Sequence, residues 1–155
     1  MTQQAEITQV VAEHTSHLET VSPGLPAAFT AGCVAGDCIA QGDLYLTVID
    51  EVPEGYTLQA APSRQLVPEG GAGSHHRIKS LSSVEVYYPA GWEVDKPTNR
   101  LDGPVIVTKK ETDIVHEAGH AHPHGTVTIP GGTKIECTYQ RTWDAAAQEI
   151  RRQMD

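Results

Sequence analysis

Hydrophobic positions in this chain change period partway along it. Over residues 4–20, Ile7, Val10, Val11, His14 and Leu18 recur at helical spacing and leave Glu6, Glu13 and Thr20 on other faces, which predicts a helix. Ser22-Pro23-Gly24-Leu25-Pro26 ends it. Residues 25–41 are small and Ala/Gly-rich, with neither period, and read as a linker that lets the first helix dock elsewhere. From Gln41 onward the period is two. Leu44, Leu46 and Val48 alternate with Tyr45, Thr47 and Ile49, which predicts a strand partly covered on both faces.

The same alternation predicts strands at Val84 to Tyr88, Val105 to Thr108 and Thr126 to Ile129, with short ones at Tyr56 to Ala60 and Gln65 to Val67. Ile114-Val115 opens another element. Beyond Pro130-Gly131-Gly132, Ile135, Cys137, Tyr139, Arg141 and Trp143 share one face of a long strand. Asp144 is placed to cap a final helix from Ala145 to Met154, with Arg151 and Arg152 in its last turn. The expected fold is mainly β (α+β), a single antiparallel β barrel or sandwich with N- and C-terminal helices. Residues 1–40 would be the N-terminal helix and linker, and residues 41–155 the β domain with its C-terminal helix.

Composition narrows the partners. A chain of 155 residues is most simply one domain. Its formal net charge of −9 opposes the phosphate backbone, so nucleic acid is not an expected partner. The same charge opposes anionic membranes, no apolar run is long enough to span one, and the first twenty residues lack the pattern of a signal peptide. The expectation is a cytoplasmic protein, or a virion protein if it is a phage component. Cys33, Cys38 and Cys137 are an odd count, which argues against a disulfide framework and for a reducing compartment. Cys33 and Cys38 are spaced one residue too far apart for a zinc knuckle and read as small hydrophobes.

The chemistry concentrates in histidine. His116, His120, His122 and His124 fall within nine residues, and His75 and His76 sit together upstream. Neutral imidazole is the commonest protein ligand for a transition metal. Residues 116–120 spell His-Glu-x-x-His, which on a helix sets two imidazoles one turn apart with Glu117 placed to deprotonate a zinc-bound water. These residues resemble the zinc helix of zincin metallopeptidases. That resemblance implies His116 and His120 as ligands and Glu117 as base. Gly119, Pro123 and Gly125 work against such a helix. In an extended segment, by contrast, His120, His122 and His124 would project to one side, and only one of His75 and His76 could join them.

A wider resemblance runs from Gln41 to Asp144. Gln41-Gly42-Asp43-Leu44, Gly73-Ser74-His75-His76-Arg77-Ile78, His116-Glu117, His124, Ile129-Pro130-Gly131-Gly132 and Tyr139-Gln140-Arg141-Thr142-Trp143 are similar, in order and spacing, to motifs of a family of small, largely uncharacterised bacterial and phage proteins. Ser74 stands where that family often has a histidine, and residues 118–123 look inserted. The resemblance implies a β fold with a His-rich site and no defined reaction.

Both lines together give His76, His116 and His124 as metal ligands, with His120, or His122 in its place, as a fourth. Zinc or another divalent transition metal is the expected cofactor, and Glu117 a water-activating base or a partner of a ligand. Three ligands would leave a position for water and hydrolysis; four would make the site structural. The functions in view are a His-rich metal-binding β domain with a hydrolytic zinc-type site, a non-enzymatic phage structural or decoration protein, and a zincin-like peptidase. A homo-oligomer or an assembly partner suits the first two. Asp43, Asp50 and Glu51 read as a solvated strand end.

Overall fold

The computed structural model describes residues 27–68, 74–96, 100–118, 124–144 and 149–152. The helix expected over residues 4–20 lies outside them. The regular structure of the described chain is almost all strand: β1 (Ala27–Ala28), β2 (Cys38–Gln41), β3 (Leu44–Val48), β4 (Thr57–Leu58), β5 (Ser74–Ile78), β6 (Val84–Tyr88), β7 (Asp102–Thr108), β8 (Thr112–Ala118), β9 (Val127–Ile129), β10 (Lys134–Tyr139), β11 (Arg141–Asp144) and β12 (Glu149–Arg152). One 3₁₀ turn, Leu81–Ser83, precedes β6.

Six strands form one sheet in the order β2-β3-β10-β7-β6-β4, four form a second in the order β1-β9-β8-β5, and β11-β12 is a separate hairpin. The pairings are antiparallel except β1 with β9. Neither sheet closes on itself, so the barrel is excluded. Both sheets bury their apolar positions in one core. Leu44, Leu46, Val86, Ile106, Ile135, Cys137 and Tyr139 come from the larger sheet, and Ile78, Ile114, Val127 and Ile129 from the smaller. Each fully buried aliphatic side chain contributes about 1.5–3 kcal/mol, which is why the period-two pattern is held so strictly along β3 and β10.

Two expectations are corrected. The stretch read as a linker supplies β1 and β2, so residues 27–41 are woven into both sheets. The C-terminal helix is not formed at residues 149–152. These pair as β12 with β11, setting Trp143 opposite Ile150 and Thr142 opposite Arg151. A helix of about ten residues is marginal alone, whereas aromatic and β-branched residues opposite one another favour a ladder. The rest of that expected helix, residues 145–148 and 153–154, lies outside the described residues.

Candidate functional site

The site is assembled by two strand pairs and one tight turn. In the smaller sheet, β5 and β8 are registered so that His76 lies directly opposite His116. Strand alternation then fixes the faces. His76 and Ile78 of β5 turn inward, and both are fully buried. In the larger sheet, β2 and β3 form a hairpin whose two-residue turn is Gly42-Asp43. Gly42 adopts φ +60°, a left-handed conformation that glycine adopts without strain. This turn delivers Gln41 and Asp43, only 2% and 4% exposed, to the buried imidazole of His76.

The contacts are short. His76 Nδ1 lies 2.9 Å from Gln41 Oε1. His76 Nε2 lies 3.1 Å from Asp43 Oδ1, yet Nε2 is buried without a hydrogen-bond partner. The approach is therefore close but not aimed as a hydrogen bond. The His116 ring stands 4.5 Å, centroid to centroid, from that of His76, and the His124 ring 4.7 Å from that of His116. His76 and His124 are 6.1 Å apart and nearly parallel. The backbone N–H of His124 donates to His116 Nδ1 at 3.0 Å.

Burial and the neighbouring imidazoles of His76 and His124 pull the His116 pKa down to about 4, with Asp43 opposing. The ring is therefore neutral at pH 7, the form in which an imidazole ligates a metal.

Of the residues singled out from sequence, His76, His116 and His124 come together. His120 and His122 lie outside the described residues. Glu117 does not join the group. Next to His116 on a strand, it faces the other side, where its carboxylate accepts from Arg77 Nη1 at 2.7 Å on exposed surface. His116, Glu117 and Ala118 belong to β8, so the one-turn helical spacing behind the zincin resemblance is not present at these residues. His75 sits opposite Glu117. Sequence reasoning missed Gln41 and treated Asp43 as solvated. The only signal for either was the Gln-Gly-Asp run at the start of the wider resemblance.

Among the described residues, no three His, Cys, Asp or Glu side chains already stand at metal-ligand spacing. Comparison with known protein families, with characterised proteins and with solved structures returns no match.

Proposed function

We propose that this chain is a metal-binding β protein whose imidazole cluster, built around buried His76, takes one divalent transition-metal ion of the zinc class, held by His76, Asp43, His116 and His124. The observation that carries this is the pairing of His76 Nε2 with Asp43 Oδ1, 3.1 Å apart, buried, and without hydrogen-bond geometry. Two ligands each about 2.0–2.1 Å from a tetrahedral ion stand roughly 3.3 Å apart. Two atoms placed so, neither pointing a proton at the other, are spaced as neighbours around one cation.

Completing the set requires the His116 ring to turn or to give up the His124 N–H bond, at about 1 kcal/mol. Three imidazoles and a carboxylate are hard-to-borderline donors, suited to zinc and its neighbours in the first transition row. Four protein ligands close the coordination sphere, which makes the ion structural rather than a site for activating water. The placement of Glu117 supports the same reading, because the side chain best suited to act as a base is on the opposite face, held by Arg77. The protein's role is then that of a metal-stabilised scaffold or assembly component.

The test is metal analysis of protein purified without a nickel column, with thermal unfolding before and after chelation. About one zinc-class ion per chain is expected, with a lower Tm after chelation and recovery on adding zinc. Glu117→Gln should keep the metal, whereas Asp43→Asn and His76→Gln should lose it. A metal-free chain whose Tm ignores added zinc overturns the reading.

A further inference from the structure

We infer that Gln41 is a positioning residue that fixes the tautomer of His76 and so decides which ring nitrogen can ligate. The inference rests on the metal reading for its consequence but not for the tautomer itself. The Gln41 side-chain nitrogen donates to two backbone carbonyls, Ile114 O at 3.1 Å and Gly125 O at 2.8 Å. Carbonyl oxygens only accept, so the amide cannot be turned the other way round. Its oxygen therefore faces His76 Nδ1, 2.9 Å away in a buried place.

An acceptor there requires a donor, because two opposed lone pairs away from water would leave both groups unsatisfied. Nδ1 must then carry the proton, and in the neutral ring Nε2 is bare. Nε2 is the nitrogen beside Asp43 and without a hydrogen-bond partner. A histidine side chain in water favours the opposite tautomer, so Gln41 reverses the intrinsic preference. A carbonyl oxygen that holds the far nitrogen of a ligating histidine also orients the ring and raises its basicity.

Gln41 does this from a different sheet. It closes the β2-β3 hairpin, while Ile114 is on β8 and Gly125 directly follows His124. One side chain thereby ties together the turn carrying Asp43, the strand carrying His116 and the segment carrying His124.

Two measurements test the inference. Two-bond ¹H–¹⁵N correlation spectra of the metal-free protein read each histidine's tautomer, with His76 assigned by the signal lost in His76→Gln. At a pH where the ring carries a single proton, the expected result is a proton on Nδ1. A single proton on Nε2, or a mixture of the two tautomers, overturns it. The second is zinc affinity of Gln41→Met, expected to be weaker by about 10–100-fold, with Glu117→Gln as a variant that keeps full affinity. If the wild type binds zinc and Gln41→Met binds it equally well, the positioning role fails while the metal reading stands. If the wild type binds no zinc, the metal reading fails and the tautomer spectrum alone decides the role of Gln41. It also decides if Gln41→Met does not fold.

Discussion

Replacing Gly103 by Ala would place a methyl group where Tyr139 already is. An ideal Cβ at Gly103 lies 2.5 Å from the Tyr139 hydroxyl oxygen, 2.8 Å from its Cζ and 2.9 Å from the Cys137 carbonyl oxygen. Non-bonded carbons prefer about 3.5–4.0 Å, so ring or strand must move by on the order of 1 Å. Neither is free to do so. Gly103 and Pro104 stand where the β7-β10 register shifts, opposite Cys137, a bulge that suits a residue without a side chain beside one without an N–H. The Tyr139 ring is fully buried. Its hydroxyl donates to the Leu66 carbonyl at 2.8 Å and accepts from the Trp92 indole at 3.0 Å.

Overpacking a core costs about 1–3 kcal/mol, and loss of the two hydrogen bonds adds about 1 kcal/mol each, for a total of about 3–5 kcal/mol. In a domain of this length 1 kcal/mol moves Tm by about 2–4 °C, so Gly103→Ala should lower it by about 6–20 °C. Thermal unfolding followed by circular dichroism measures this. Gly32→Ala is the control, since nothing lies within 4 Å of its Cβ position, and it should change stability by no more than about 0.5 kcal/mol. Tyr139→Phe removes the atom nearest the new methyl. The double variant should therefore be less destabilised than the sum of the singles, by about 0.5–3 kcal/mol. A fall in Tm for Gly103→Ala below about 2 °C, or strict additivity with Tyr139→Phe, would refute the claim that this contact is rigid. The consequence extends to the site, because the Leu66 N–H donates to the His76 carbonyl at 2.9 Å. A displaced Tyr139 thus pulls on the segment that covers β5.

Two further outcomes follow from charge and burial. Hydrogen bonds from Lys79 and Thr128 hold the Asp113 carboxyl below its usual value of 3.8. Its stabilisation is therefore present above the unfolded value and is lost as pH falls through the lower folded one. Urea midpoints measured from about pH 5 to about pH 2.5 should fall less steeply for Asp113→Asn than for the wild type, and identical slopes would contradict the argument. Among the thiols, Cys38 is exposed and Cys137 fully buried, with the Cys137 thiol pushed up by burial and by Glu136. A thiol reagent should label Cys38 in the native protein and Cys137 only in denaturant, read by peptide mass. Native labelling of Cys137 would mean that the shared core opens readily.

The strands were legible wherever one face is buried and the other wet. Val84 to Tyr88 forms β6 residue for residue, and the inward set Ile135, Cys137 and Tyr139 is as the alternation requires, but the strand expected to carry on through Arg141 and Trp143 ends at Tyr139, and Arg141–Asp144 pairs in a separate hairpin. The sequence misled where local signals were strong and tertiary pairing decided otherwise. Asp144 followed by three alanines resembles a capped helix start, yet Asp144 pairs with Glu149 in a hairpin. β2 carries almost no pattern, because it is an edge strand whose pairing is set by the Gly42-Asp43 turn rather than by its own side chains. The imidazoles were visible from their density alone. Gln41 and Asp43 were not, because nothing local in a sequence tells that a polar residue beside a turn will be buried against another sheet.

That burial gives the metal reading its physical logic. Asp43 and Gln41 belong to the six-stranded sheet, and His76 and His116 to the four-stranded one. An ion shared between them would bridge elements far apart in the chain. Its binding energy would therefore oppose separation of the sheets rather than the fraying of one loop. Ligand-linked stability grows as RT ln(1 + [L]/Kd), about 2.7 kcal/mol when the free ion is at 100 times Kd. In the unfolded chain these ligands are scattered, so nearly all of that energy would act on the native state. Without the ion, the same polar groups stay buried between the two sheets with His76 Nε2 unsatisfied, at about 1–3 kcal/mol. On the metal proposal, a bound ion would offset that cost at the junction of the two sheets, which is the effect the chelation experiment reads.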